Sequence, residues 1–177
     1  MSETSLARER LLPYCKGYGL DLGFGGDKVQ PSAIGVDLPV PYTHVGNDPV
    51  QLGGDARKLV WFRDEVLDYV YSSHLLEDFP AEQTRTIVME WLRVLKVGGH
   101  LVLYQPDEQV YRAHCKATGQ SYNASHSVAD FSLTWLQNNV LATIPDIEIV
   151  HGNPHVETYS FEVVIRKAFP MSPKSAE

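Results

Sequence analysis

The chain has 177 residues, of which 44% are hydrophobic and 21% charged, and a formal net charge of −7. That composition excludes a disordered, collagen-like or coiled-coil chain and fits one globular domain, while the acidic balance argues against wrapping a phosphate backbone, so no nucleic acid partner is expected. No apolar run approaches the roughly 20 residues of a membrane helix, and Met1-Ser2-Glu3-Thr4-Ser5 is not a basic stretch leading into an apolar one; a cytoplasmic protein with no membrane span is expected.

Leu6, Arg8, Leu11 and Leu12 predict a short N-terminal helix ended by Pro13, which cannot continue the hydrogen-bond ladder. Tyr18–Leu22 and Ile34–Leu38 read as two strands, with the glycine-rich turn Gly23-Phe24-Gly25-Gly26 after the first and Asp37 near the end of the second. A third strand falls near Val50–Leu52 and a fourth over Leu67–Ser73. Between Pro80 and Gly98, the spacing of Ile87, Val88, Trp91, Leu92 and Leu95 predicts a helix with one buried face, with Gly98-Gly99 past its end. His100–Tyr104 is a fifth strand. Asp107 then caps a helix that stops at Gly119, and another helix begins near Ser132. Ile147–Val150 and Tyr159–Ile165 have no helix between them and should pair as an antiparallel hairpin around Gly152-Asn153-Pro154. Strands alternating with helices predict an α/β fold, doubly wound around a mostly parallel sheet, with ligands at the carboxyl ends of its strands. Residues 1–177 read as a single domain, with 1–17 as N-terminal helix and lead-in and 170–177 as a disordered tail. Cys15 and Cys115 have no metal-ligand spacing and read as free thiols.

The glycine turn fits two ligand chemistries, because closely spaced glycines allow positive φ and close approach to the backbone. In the dinucleotide pattern GxGxxG a third glycine would fall at position 28, which is Lys28, and that weakens the nicotinamide reading. Asp21, inside the first strand, suits a cofactor bearing an ammonium or sulfonium cation better than one bearing a pyrophosphate.

Leu20-Asp21-Leu22-Gly23-Phe24-Gly25 resembles the first motif of class I S-adenosylmethionine-dependent methyltransferases, of the type 11 kind, and the likeness continues through Tyr104. The resemblance implies a seven-stranded, Rossmann-like methyltransferase sheet with S-adenosylmethionine as cofactor and S-adenosylhomocysteine as product. It implies that Asp21, Gly23, Phe24 and Gly25 lie at the cofactor, that Asp37 and Leu38 serve the ribose, and that Gly54-Asp55-Ala56 serves the adenine, with Asp55 accepting from its amino group. Tyr71–Asp78 resembles the family's segment at the end of the fourth strand that lines the cofactor and faces the acceptor, which implies that Ser72 and Ser73 also lie at the cofactor, and Trp91–Gly99 resembles the family's passage RVLKPGG, with Val97 in place of proline. The chain departs from the family in the short interval between Asp21 and Asp37, interrupted by Pro31: the first helix must be shortened or absent.

Methyl transfer requires the acceptor in near-attack geometry and water kept out, and a base only where the acceptor must lose a proton. His74, after the fourth strand, is the first catalytic candidate, because imidazole titrates near neutral pH. Asp107, after the fifth strand, is the second, with helix capping as its competing role. No serine elbow, HExxH or cysteine-histidine zinc pattern occurs, so neither hydrolase chemistry nor a metal is expected. The acceptor is read as an oxygen or nitrogen on a small molecule or saccharide-type precursor. Its specificity is expected from the loops after the fourth and fifth strands, from the segment between Gly119 and Ser132, or from a partner chain. A non-catalytic S-adenosylmethionine-binding subunit is the alternative, and a homodimer or partner subunit is possible in either case.

Overall fold

The structure, a computed structural model, describes residues 2–39 and 49–169. Seven strands form one sheet: β1 (Gly19–Leu22), β2 (Ile34–Asp37), β3 (Leu52–Gly53), β4 (Leu67–Ser73), β5 (Leu95–Pro106), β6 (Ile147–Val156) and β7 (Ser160–Lys167), in the spatial order β3-β2-β1-β4-β5-β7-β6. The first five run parallel to one another, and β7 pairs antiparallel with both β5 and β6. Chain order reverses between β1 and β4, the switch point at which open α/β sheets bind ligands.

Alternation along the strands divides the core between two faces. Leu20, Leu22, Val70, Leu101, Leu103, Val163 and Ile165 pack on one side with Ile87, Val88, Trp91 and Leu92 of α2 (Ala81–Val94) and with Leu133 and Leu136 of α4 (Leu133–Asn139). Tyr69, Tyr71, Val102, Tyr104 and Val164 face the other side, against Ala7 and Leu11 of α1 (Glu3–Leu11) and against Val29 and Ala33 of the β1–β2 connection. Each large apolar side chain so removed from water stabilises the fold by about 1.5–3 kcal/mol before ordering costs. The fourth long helix, α3 (Glu108–Thr118), follows β5 directly.

No helix joins β1 to β2. Residues 23–33 cross in turns, and α1 covers the face where a helix would lie, fastened to the connection by Arg8, which pairs with Asp27 and donates to the Lys28 carbonyl at 3.0 Å. Lys28, at the third-glycine position, folds inward and donates from Nζ to the carbonyls of Pro31 and Ala33 at 3.0 and 3.2 Å.

Two boundaries differ from the sequence reading. The helix expected to carry Leu95 and to stop before Gly98 ends at Val94, and Leu95 already pairs with Leu67 of β4. Gly98, at φ +83°, and Gly99 belong to a bulge inside β5, opposite the register shift between Leu67 and Tyr69, and do not follow a helix end. In the hairpin, Gly152-Asn153-Pro154 continues β6, and the turn comes later, at Glu157 with φ +52°. The expected tail, 170–177, lies outside the described residues. Cys15 and Cys115 are buried and unpaired, and among the described residues no helix is long and apolar enough to cross a membrane.

Candidate active site

A cavity of about 370 Å³ opens at the carboxyl ends of β1, β2, β3 and β4. Its wall on the β1 side is the glycine turn. Gly23 and Gly25 have φ +65° and +57°; a Cβ on Gly23 would stand 2.8 Å from Leu75, whereas one on Gly25 would meet nothing within 4 Å. The turn therefore presents bare backbone to open space, the form a closely approaching ligand requires.

Asp37 closes β2 at the same wall. Its Oδ2 accepts from Gly25 N at 3.1 Å and its Oδ1 from Leu38 N at 2.8 Å, which fixes the carboxylate and leaves each oxygen a lone pair for a ligand hydroxyl. Leu38, Gly54, Asp55 and Ala56 line the cavity next to it. Trp91 of α2 holds that stretch by donating from its indole nitrogen to the Ala56 carbonyl at 2.7 Å. The Asp55 carboxylate is engaged by Arg57, with Oδ2 2.7 Å from the guanidinium, and this pairing holds it below the usual aspartate range. Arg57 itself lines the cavity and reaches over the Phe79 ring, 5.9 Å from its centroid.

The opposite wall follows β4: His74, Leu75, Asp78 and Phe79, with Ser125 from the loop after α3. Buried Gln105 shapes this loop. Its Oε1 accepts from the backbone of Leu75 and Leu76 at 3.2 and 3.3 Å, and its Nε2 donates to the Ser72 carbonyl at 3.1 Å. His74 has φ +49°, held by its N–H bond to the Tyr104 carbonyl at 2.9 Å. Its Nε2 lies 3.2 Å from Ser160 Oγ. Burial, followed by the nearby His126, pushes the imidazole down to about 3, so it is neutral across the physiological range.

Behind this wall is a buried polar cluster. Glu108 and Glu77 are essentially inaccessible, and His126 Nδ1 lies 2.7 Å from Glu108 Oε2. Burial raises Glu77 well above the ordinary glutamate value, and the charges of Asp78 and Glu108 add to that rise.

Four of the residues expected at the cofactor do not line the cavity. Asp21 is fully buried beneath the turn, where Oδ2 accepts from Val29 N at 2.6 Å; burial raises its pKa well above the aspartate value. Phe24 turns its ring onto Gly35. Ser72 and Ser73 are buried in β4, and Ser72 Oγ donates to the Leu22 carbonyl at 3.2 Å. Asp107 also lies off the cavity lining, and its Oδ1 accepts from Val110 N at 3.1 Å as the N-cap of α3. Arg57, Phe79, Gln105 and Ser125 escaped the sequence reading, although Ser125 falls in the segment expected to contribute specificity. None stands in a recognisable motif, so only the three-dimensional assembly brings them here.

Residues 20–103 match the model of a methyltransferase-domain family, type 11. No curated protein matches the chain. Among solved structures, a protein from Pyrococcus horikoshii superposes with a TM-score of 0.69 at 19% identity, over 92% of this chain and 88% of its own. A SAM-dependent methyltransferase from Archaeoglobus fulgidus superposes at 0.66 with 18% identity, over 93% and 94%. A chain from the complex of the Haloferax volcanii Trm112 methyltransferase activator superposes at 0.67 with 15% identity, over 94% and 91%. Just under half of the chain thus matches a methyltransferase-domain model, and the fold is shared with a SAM-dependent methyltransferase over nearly the whole chain.

Proposed function

We propose that this chain transfers a methyl group from S-adenosylmethionine to an oxygen or nitrogen of a small molecule or saccharide-type precursor. The observation that carries the reading is one cavity with the Gly23–Gly25 turn and Asp37 on one wall and His74 on the other. The residues fit the cofactor. Asp37 has lone pairs to spare for the ribose hydroxyls, the backbone of Gly23 and Gly25 suits the amino-acid end, and Leu38, Gly54, Asp55 and Ala56 suit the adenosine. Asp55 would share its carboxylate between Arg57 and the adenine amino group. Asp21, Phe24, Ser72 and Ser73 would support this wall from behind.

When bound, the cofactor supplies an electrophilic methyl on a sulfonium. The chain's own task is to position the acceptor and exclude water. A neutral His74 with pKa about 3 gives little driving force for removing a proton, so its role here is to hydrogen-bond and orient the acceptor. The acidic charge and the two unpaired thiols support a cytoplasmic setting.

The test is transfer of labelled methyl groups to a panel of hydroxyl- and amine-bearing acceptors. Product S-adenosylhomocysteine together with labelled acceptor is expected, and His74→Ala should lower kcat without moving the pH profile. Loss of a limb near pH 6.5 in that variant would make His74 the base instead. A structural neighbour was solved with an activator, so the panel is repeated in the presence of candidate partner chains. Tight S-adenosylhomocysteine binding without transfer in either setting would favour the non-catalytic subunit.

A further inference from the structure

We propose that Glu77, Asp78 and His126 form a binding site for a divalent transition-metal ion at the acceptor end of the cavity. One ligand atom from each of the three lies within 4.8 Å of the others. Bonds of ~2.0–2.2 Å span up to ~4.4 Å between opposite ligands, so small side-chain rotations close the set. The backbone already holds the partners together: Ser127 N donates to the Glu77 carbonyl at 2.8 Å, and Ser127 Oγ donates to the Asp78 carbonyl at 2.9 Å.

The second observation is the setting of the histidine and the two carboxylates. Glu108 Oε1 accepts from Arg112 Nε at 2.7 Å and from the Tyr122 hydroxyl, which fixes that carboxylate in place. The imidazole of His126 is anchored on the same carboxylate, its Nδ1 2.7 Å from Glu108 Oε2, and this orientation turns Nε2 toward Glu77. Nε2 stands 3.7 Å from Glu77 Oε1. Glu77 is 1% exposed, and neither its Oε2 nor Asp78 Oδ1 has a hydrogen-bond partner. At 3.7 Å the imidazole is too far from Glu77 Oε1 for a hydrogen bond, so it does not supply the missing partner. A cation satisfies all three groups at once. A histidine whose other nitrogen is held by a buried carboxylate is also the usual arrangement of a metal ligand.

Two carboxylate oxygens and one imidazole nitrogen suit Zn²⁺, Mn²⁺ or Co²⁺ better than all-oxygen-seeking Ca²⁺ or thiolate-seeking Cu⁺. Asp78 lines the cavity, so an ion held here would keep a coordination position open to an oxygen-bearing acceptor. Only this last step rests on the proposed methyl transfer. No short motif joins Glu77-Asp78 to His126, which is why metal-ligand spacing in the sequence gave no sign of the site.

Co²⁺, whose visible d–d bands report protein ligands, is titrated into the chelator-stripped full chain, with Zn²⁺ and Mn²⁺ as competitors. One ion per chain is expected. Glu77→Gln, Asp78→Asn and His126→Ala should each weaken Co²⁺ by about 100-fold or more, and Glu108→Gln by roughly 10- to 100-fold, with S-adenosylhomocysteine binding retained as the sign of a folded chain. If Glu77→Gln fails to fold, Asp78→Asn decides. Absence of the bands in the wild-type chain overturns the proposal, as do bands that survive in the variants. Co²⁺ binding without methyl transfer to any acceptor would sink the functional reading and leave the metal site standing.

Discussion

Asp37 does two jobs at once, as anchor of the glycine turn and as the proposed holder of the ribose. Removing it in Asp37→Ala leaves Gly25 N and Leu38 N without their acceptor. S-adenosylhomocysteine should bind more weakly by about 1–3 kcal/mol, the range for hydrogen bonds to a charged group. Calorimetry returning the wild-type affinity would contradict the assignment. Asp21 is different, because it is sealed under the turn and its folded-state pKa is raised, chiefly by burial. A raised carboxyl contributes stability that is fully present below the unfolded value near 3.8 and is lost as pH rises through the folded value. Asp21→Asn carries no such loss, so its stability relative to wild type should grow from pH 4 to pH 7 and be constant below about 3.8. Urea unfolding across that range checks this, and parallel curves would mean that Asp21 is not the strained carboxyl described. Both residues stood out in the sequence, since an acid beside a glycine turn is a local pattern. Which of the two faces the cavity was not legible, because it depends on how residues 23–33 fold back over β1.

At the scale of elements, local chemistry predicted most of what formed. Ser2, Asp107 and Ser132 each accept a hydrogen bond at a helix start, and Gly119 leaves α3 at φ +74°. Where the reading failed, a long-range partner overrode a local signal. Leu95 continues the apolar periodicity of α2, yet it pairs with Leu67, and the two glycines beyond it serve a bulge. The capping role of Asp107 can be separated from a catalytic one. Asp107→Ala should cost about 1 kcal/mol of stability, the usual worth of an N-cap, with S-adenosylhomocysteine affinity unchanged and turnover within a few-fold of wild type. A hundredfold fall in turnover at unchanged stability would restore the carboxylate to the chemistry.

Across the whole molecule, the cavity joins elements that are distant in sequence. The glycine turn, Asp37, Gly54–Arg57 and His74–Phe79 come from four different strand ends, and Ser125 comes from beyond α3. These pieces meet only in the folded state, so a ligand that bridges them binds the native chain and not the unfolded one. Linkage then sets the size of the effect. At about 100 times its dissociation constant, S-adenosylhomocysteine should add about 2.7 kcal/mol to the unfolding free energy. For a domain of this length that corresponds to roughly 5–10 °C in Tm. Thermal melts at graded ligand concentration should follow that dependence in the wild-type chain. They should do so equally in Asp107→Ala, whose side chain lies off the cavity, and the curve should shift to higher ligand concentration in Asp37→Ala. Equal shifts in all three chains would mean that the ligand stabilises the protein from somewhere other than this cavity.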